Sequence, residues 1–297
     1  MFKNGALYIF LATIASLVLF SCSTQQKAQS RRNSIVAIDS QLIQKKNLLS
    51  DLDKQREKKL ATNEMLDTAS KSIQRFINKT KEEIQDQVTK DSLLIGETEV
   101  AREDWNKLKK SLTESQKSLK NITNRVQFIK DLLERNRVVK LDQDVIFKSG
   151  EYEVSPDIAA SIVKFFEPAA AGVDSFIQKY PDFSLSLVIT AKGYADGTTI
   201  NENSKLYKQL KEQLKLQTSA PTNKDLNQEL SNLRAKKVIE LFQDFTTARS
   251  GNRQSNQHIL YLYEGKGEDF PNPTIADYKT NDPRRRVVLL FWSIFPE

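Results

Sequence analysis

The chain has one cysteine, Cys22, and one histidine, His258, among 297 residues. An intrachain disulfide is impossible, and a His/Cys zinc site lacks ligands. One Cys and one His so far apart in sequence also leave little for a Cys–His nucleophile pair. Helix breakers are scarce in the first half: Gly96 is the only glycine between Gly5 and Gly150, and all eight prolines lie at Pro156 or beyond. A mean hydropathy of −0.51, with charge in almost every window, excludes a multi-spanning membrane protein. Hydrophobic residues at 39% and aromatics at 8% are too many for wholesale disorder. The net charge of +7 is not a block either. Residues 31–137 hold 23 Lys+Arg against 17 Asp+Glu, interspersed, whereas residues 138–297 hold 20 against 21. There is no dense basic face and no reader motif, so nucleic acid is not an expected partner. The basic excess reads as a solvated helical surface.

The N-terminus has the texture of an export signal. Lys3 supplies a positive start and Ala6 to Phe20 an apolar run, shorter than the roughly 20 residues of a membrane span. The run stops at Leu19-Phe20-Ser21-Cys22, which resembles the lipobox of bacterial lipoproteins, with Phe20 less usual at its position. That resemblance implies a signal peptide over 1–21, cleavage before Cys22, and acyl chains on Cys22 that hold the protein in a membrane. Two or three chains make such attachment durable where one does not. Ser23, in place of Asp, implies release to the outer membrane, facing the periplasm, with 22–30 as a polar tether. The alternative is an ordinary secretory signal with a chance cysteine.

Residues 31–137 read as a long helical coiled-coil stalk. Apolar residues recur at 3,4 spacing: Leu66, Ala69, Ile73 and Phe76 in one run, Trp105, Leu108, Leu112, Leu119, Ile122, Val126, Ile129 and Leu133 in another. Ser115 fills one seam position, and Ile35, Ile38, Leu42, Leu49 and Leu52 form an earlier run. The segment from Asp91 to Gly96 interrupts the phase and is either a turn or a stutter. A continuous helix would span on the order of 160 Å, a hairpin about half that. The stalk is expected to act as a spacer and as a surface for homo-oligomerisation or envelope protein partners, or as a solvated helix packing on its own neighbour.

From Val138 strand-like runs alternate with amphipathic helices. Val145-Ile146-Phe147 reads as a strand, Ser155-Pro156 as the start of a helix toward Tyr180, and Phe183 to Thr190 as a strand. Leu226 to Phe245 reads as a helix, His258 to Tyr263 and Val287 to Trp292 as strands. The expected fold class is α+β: a helical stalk, then a β-α-β-α-β-β domain over 138–297 with helices on one face of a mixed sheet.

Four stretches of this domain resemble the OmpA-like peptidoglycan-binding family that includes Pal lipoproteins and MotB stators. They are Val145 to Phe147 with Ser149-Gly150 and Ser155-Pro156; Gly193-Tyr194-Ala195-Asp196; Asn227 to Ala235, which fits NxxLSxxRA at every fixed position; and Gly265-Lys266-Gly267-Glu268 with Arg285-Arg286-Val287. The resemblance implies non-covalent binding of peptidoglycan through diaminopimelate, whose side-chain terminus carries both an ammonium and a carboxylate. Asp196 would take the ammonium and Arg234 the carboxylate in two parallel bonds. Asn227 matches a polar contact at the helix start and Arg285 a lining position. No cofactor, metal or catalytic residue is implied. Without the resemblance, Asp196 and Arg234 read as a surface ion pair.

Several positions depart from the family pattern. Tyr194 and Ala195 replace His and Thr, Lys148 stands where many members carry Asp, Arg284 replaces an Asn, and an insertion at about 198–226 includes a charged helix-like run from Lys205 to Gln217. The combined expectation is a lipid-anchored tether that is not an enzyme. Three rivals stand beside it: a wall-anchoring part of a larger secretion or motility machine, a wall hydrolase built on carboxylates such as Glu264 and Glu268, and a degenerate domain that no longer binds wall.

Overall fold

The computed structural model describes residues 4–97, 102–147, 151–214, 221–250 and 259–296, with the side chains of 4–25, 102–105, 137 and 250 excepted. Cys22 and Trp105 fall among those excepted side chains, and Lys148 and His258 lie outside the described residues. No helix among the described residues is long and apolar enough to cross a membrane. The chain is α+β and divides into two compact units. One comprises Met1–Asp51 with Ile77–Gln127, the other Leu52–Phe76 with Phe128–Glu297.

The first unit is built from parts of three helices, α1 (Asn4–Ala61), α2 (Asp67–Glu97) and α3 (Arg102–Arg135). Their inward positions recur every seven residues: Ile35, Leu42 and Leu49 on α1, Ile77, Ile84 and Asp91 on α2, Leu108, Ser115 and Ile122 on α3, all buried. Ala28, Ile35 and Leu108 pack with Leu94, Ile95 and Leu112, which sets the start of α1 beside the end of α2 and the start of α3. Lys46 donates to Gln85 at 2.7 Å and Arg125 pairs with Glu83 across the bundle. Within this unit the chain therefore packs as three helical segments, not as a single helix or a pair. The Asp91–Gly96 segment is not a turn, because α2 continues through it to Glu97. The reversal into α2 occurs instead at 62–66, where Asn63 takes a left-handed φ of 57° and Glu64 N–H closes back on the Lys59 carbonyl at 2.8 Å. Asparagine tolerates that conformation and ends the helix without glycine.

Two carboxyls are buried in this bundle. Asp91 accepts from the Ser115 and Ser111 hydroxyls at 2.7 and 2.9 Å and from the Gln87 amide at 3.1 Å. Asp39 of α1 is 8% exposed and faces Asp91. Burial first, then the Asp91 charge and hydrogen bond, push its pKa up to about 7.

The second unit holds a four-stranded sheet in the order β1-β4-β2-β3. Its strands are β1 (Arg137–Asp142), β2 (Leu185–Gly193), β3 (Ile259–Gly265) and β4 (Val287–Pro296). β4 runs antiparallel to β1 and β2, while β2 and β3 are parallel, so the sheet is mixed. Its helices are α4 (Gln143–Ile146), α5 (Pro156–Lys179), α6 (Lys205–Leu214) and α7 (Asn223–Ser250). Phe166 of α5 meets Phe242 of α7 edge-on at 4.8 Å, and Phe242 meets Trp292 of β4 at 4.5 Å, which fixes both helices on the sheet.

The first strand is not Val145-Ile146-Phe147. Asp142 caps a helical turn by accepting from Asp144 N–H at 3.0 Å, so Gln143–Ile146 is helical and the strand precedes it. Val145 then faces solvent while Ile146 and Phe147 are buried.

Residues 52–76 and 128–136 also belong to this unit, so it takes in more than residues 138–297. Phe128 is its aromatic hub: it stacks on Phe183 at 4.1 Å and meets Tyr180, Phe76 and Phe176 within 5.6 Å. Phe183, expected in a strand, serves this cluster instead. The Asn136 side chain donates to the Ile294 carbonyl at 2.8 Å and accepts from Ile294 N–H at 3.1 Å. Every residue of β4 from Val287 to Ile294 is buried, so both faces of that strand are covered.

Candidate ligand-binding site

The site forms where β2 ends against α7. A Cβ on Gly193 would lie 2.1 Å from the Ser231 carbonyl oxygen, so only glycine lets the helix backbone approach this closely. Ala235 is fully buried at the same contact, and the Ser231 hydroxyl donates to Gln228 O and accepts from Gly267 N–H at 2.9 Å. Gly267 itself has φ +53°, which glycine adopts without strain. The serine and alanine of the Asn227–Ala235 run are thus packing residues. Asn227, Leu230 and Arg234, spaced three and four apart, share the other face of α7 and line a cavity of about 570 Å³. Thr222 and Asp225 cap this helix reciprocally, at 2.9 and 3.2 Å.

Asp196 lies just beyond β2 and is 5% exposed. One carboxylate oxygen accepts from Thr198 N–H at 3.1 Å, the other from Arg286 at 2.9 Å. Arg286 also grips Asp144 through Nε and Nη2, at 3.0 and 2.6 Å. Those two carboxylates hold the Arg286 pKa above its ordinary value. Asp144, Asp196 and Arg286 all line the cavity.

Arg234 is 8% exposed and has a different environment. Its Nε and Nη2 donate to the Glu151 carbonyl at 3.2 and 3.0 Å, and Nη1 donates to the Gln143 side-chain oxygen at 2.6 Å. Gln143 is itself fixed by donating to the Tyr194 and Val287 carbonyls at 2.8 and 2.9 Å. The guanidinium stands 5.2 Å from the Phe147 ring centre. All these acceptors are neutral, and burial pulls the Arg234 pKa down to about 10. Among the described residues no carboxylate pairs with Arg234. A guanidinium has five N–H groups; the three bonds leave one on each terminal nitrogen for a further acceptor.

Asp196, Arg234 and Asn227 are thus brought to one cavity, although Asp196 and Arg234 do not pair directly. Asn227 is buried, with its amide donating to Glu268 at 2.8 Å and to the Thr198 carbonyl at 3.4 Å. Arg285 is not among the lining residues. It is buried beneath the 268–280 loop, donating to the Lys279, Thr280 and Glu268 carbonyls, 5.1 Å from the Phe270 ring centre. The short helical turn Pro283–Arg285 directs Arg285 to that loop and leaves the next residue, Arg286, to the cavity. Arg286, Asp144, Gln143 and Phe147 were not assigned to the site from sequence. The Arg284–Arg286 run was the signal, but periodicity cannot rank neighbouring arginines.

Tyr194 does not line the cavity. It is buried, its hydroxyl accepts from the Asn63 amide at 2.8 Å, and burial pushes its pKa up to about 12. Glu264 pairs with Lys266 at 2.5 Å, and Glu268 accepts from Asn227, so both hydrolase candidates have protein partners. Among the described residues no group of three or more His, Cys, Asp or Glu side chains is placed to hold a metal ion.

The segment after Asp196 builds a wall. Leu206 and Leu210 of α6 pack on Leu226 and Leu230 of α7, with Ile200 and Tyr207 against them. Comparison with protein-family models and with curated proteins gives no match to this chain.

Proposed function

We propose that this is a lipid-anchored outer-membrane protein, facing the periplasm, whose C-terminal domain is OmpA-like and binds peptidoglycan non-covalently through diaminopimelate, tethering membrane to wall. Anchoring rests on the lipobox-like Leu19 to Cys22. The observation that carries the wall-binding reading is Arg234. It is a buried guanidinium with only neutral partners, and it shares a cavity with the carboxylates of Asp196 and Asp144. Arg234 offers a ligand carboxylate two N–H donors, while Asp196 and Asp144 supply the negative side for an ammonium. Removing the carboxylate from a ligand leaves the buried Arg234 without a counter-charge, which costs on the order of 2–5 kcal/mol, while Asp196 and Asp144 share the single guanidinium of Arg286 and keep a net negative charge for an ammonium. Selectivity for a zwitterionic terminus follows. The activity is attachment, with no bond made or broken.

The test is co-sedimentation of the full chain with purified sacculi, competed by free meso-diaminopimelate or by cadaverine, which keeps both ammonium groups and lacks the carboxylates. Competition by diaminopimelate alone is the expected result, with loss of sedimentation in Arg234→Lys, which keeps the charge but not the fork. Equal competition by cadaverine, or unchanged sedimentation of the folded variant, refutes the assignment. A second reading, a wall-anchoring part of a larger envelope machine, is favoured by Val36 and Ile43. These lie seven residues apart on α1, 50% and 47% exposed, on a face the bundle does not use.

A further inference from the structure

We propose that the free edge of β3 is a contact between two copies of this chain, the same strand from each pairing antiparallel about a twofold axis at Tyr261. None of Ile259 to Tyr263 lines the cavity, so the contact is independent of what binds there.

β3 ends the sheet, with β2 on one side and no strand on the other among the described residues. One bond tells which of its backbone groups face outward: Lys266 N–H donates to the Gly193 carbonyl of β2 at 2.8 Å. Successive residues of a strand direct their N–H and C=O to opposite sides, so 260, 262 and 264 face β2 while 259, 261, 263 and 265 point away. At Gly265, α7 takes up both outward groups: Asn232 accepts from its N–H at 3.2 Å, and the Gln228 amide donates to its carbonyl at 2.6 Å. Ile259, Tyr261 and Tyr263 have no such cover, and their outward N–H and C=O groups have no partner among the described residues. Folded proteins ordinarily blunt such an edge with lysine, proline or a bulge. Ile259 to Tyr263 contains neither residue, and it pairs with β2 in unbroken register.

The side chains suit a second copy in particular. Tyr261 faces α7, its hydroxyl 2.6 Å from that of Thr246, so Leu260 and Leu262 stand on the opposite face of the sheet. These two leucines are 53% and 44% exposed. An axis at Tyr261 sets Leu260 against the partner's Leu262 and Ile259 against the partner's Tyr263, so each apolar side chain meets another. The outward-facing residues oppose one another in the same register, and each such pair exchanges both bonds of an antiparallel ladder. No charge lies between Ile259 and Tyr263, and Glu264 beyond them is held by Lys266 at 2.5 Å. Two copies therefore bring no like charges face to face. A strand of unrelated sequence would satisfy the backbone alone; the apolar match across the axis selects this chain's own strand.

The experiment is disulfide trapping in the full chain carrying Cys22→Ser, so that introduced thiols are the only ones. In this register residues 260 and 262 of opposite copies form a non-hydrogen-bonded pair, with Cα atoms about 4.5 Å apart, within the reach of a disulfide. A mixture of Leu260→Cys and Leu262→Cys chains, oxidised by diamide, should give a linked species of twice the chain mass that neither chain gives alone. Both leucines are exposed, so the core is left intact, and circular dichroism checks this. Sedimentation velocity over a range of concentrations is the second readout. Leu260→Lys/Leu262→Lys opposes lysines across the axis and should weaken self-association about tenfold. No linked species from the mixture, equal linking by either chain alone, or self-association unmoved by the lysines overturns the twofold contact. Sedimentation as a single copy at every concentration overturns it too, and leaves the edge to a strand of another protein.

Discussion

Replacing Asp39 with asparagine should abolish a pH-dependent weakness of the helical bundle. In the folded chain the Asp39 carboxyl faces Asp91, whose oxygens already accept two hydroxyls and an amide. A second negative charge there is opposed by burial and by Asp91, so the folded pKa is about 7 against an ordinary 3.8. The folded value is the higher one. The stability Asp39 contributes is therefore complete below about pH 4 and is withdrawn as the pH rises through about 7. At about 1.4 kcal/mol per pKa unit the withdrawn amount is roughly 2–4 kcal/mol, the lower end allowing for screening by water. Asp39→Asn has nearly the same shape and donates an amide N–H to Asp91 at every pH. Urea unfolding followed by circular dichroism at about pH 4.5 and about pH 8.5 is the measurement. The variant should match the wild type at the lower pH and exceed it by roughly 2–4 kcal/mol at the higher. Subtraction at each pH removes the slope due to every other group. A difference that does not change with pH refutes the raised Asp39 pKa.

Gly193→Ala places a Cβ 2.1 Å from the Ser231 carbonyl oxygen, so α7 must shift away from β2. A loss of about 1–3 kcal/mol in thermal unfolding is expected, together with weaker sedimentation on sacculi; an unchanged melting temperature contradicts the close approach. Tyr194→Phe removes the acceptor of the Asn63 amide, which keeps its second bond to the Pro271 carbonyl at 3.0 Å. It should cost about 0.5–1.5 kcal/mol of stability and leave sacculus sedimentation unchanged. Impaired sedimentation by a folded Tyr194→Phe chain would place that side chain in recognition.

Much of the helical region was legible because burial repeats with a short period. Ile35, Leu42, Ile122 and Val126 are named by 3,4 spacing and are buried. The reversal at Asn63 was not legible, because a left-handed asparagine leaves no glycine or proline behind. Similarly, Val145-Ile146-Phe147 has strand composition, and one capping aspartate, Asp142, turned it into a helical turn. The α+β class and the mixed sheet were readable from alternating textures. At the site, Asn227 and Arg234 were named by the family resemblance, and their i, i+7 spacing accounts for their sharing one face of α7. Long-range partners were not readable. Nothing local states that Gln143 and Glu151, some ninety residues upstream, hold Arg234, nor that Arg286 and not Arg285 meets Asp196.

The aromatic hub at Phe128 makes the sheet inseparable from helices that precede it in the chain. A fragment beginning at 138 would lose Phe128 and Phe76 from beneath Phe176, Tyr180 and Phe183, and Asn136 from the last strand. Such a fragment would present naked rings and a frayed terminal ribbon, and would be prone to clump. Gene fusions that graft this module elsewhere must carry 52–76 and 128–136 along with it. The unit that natural recombination could move intact is thus interrupted in sequence, and any shuffling event would have to bring the intervening helices as cargo.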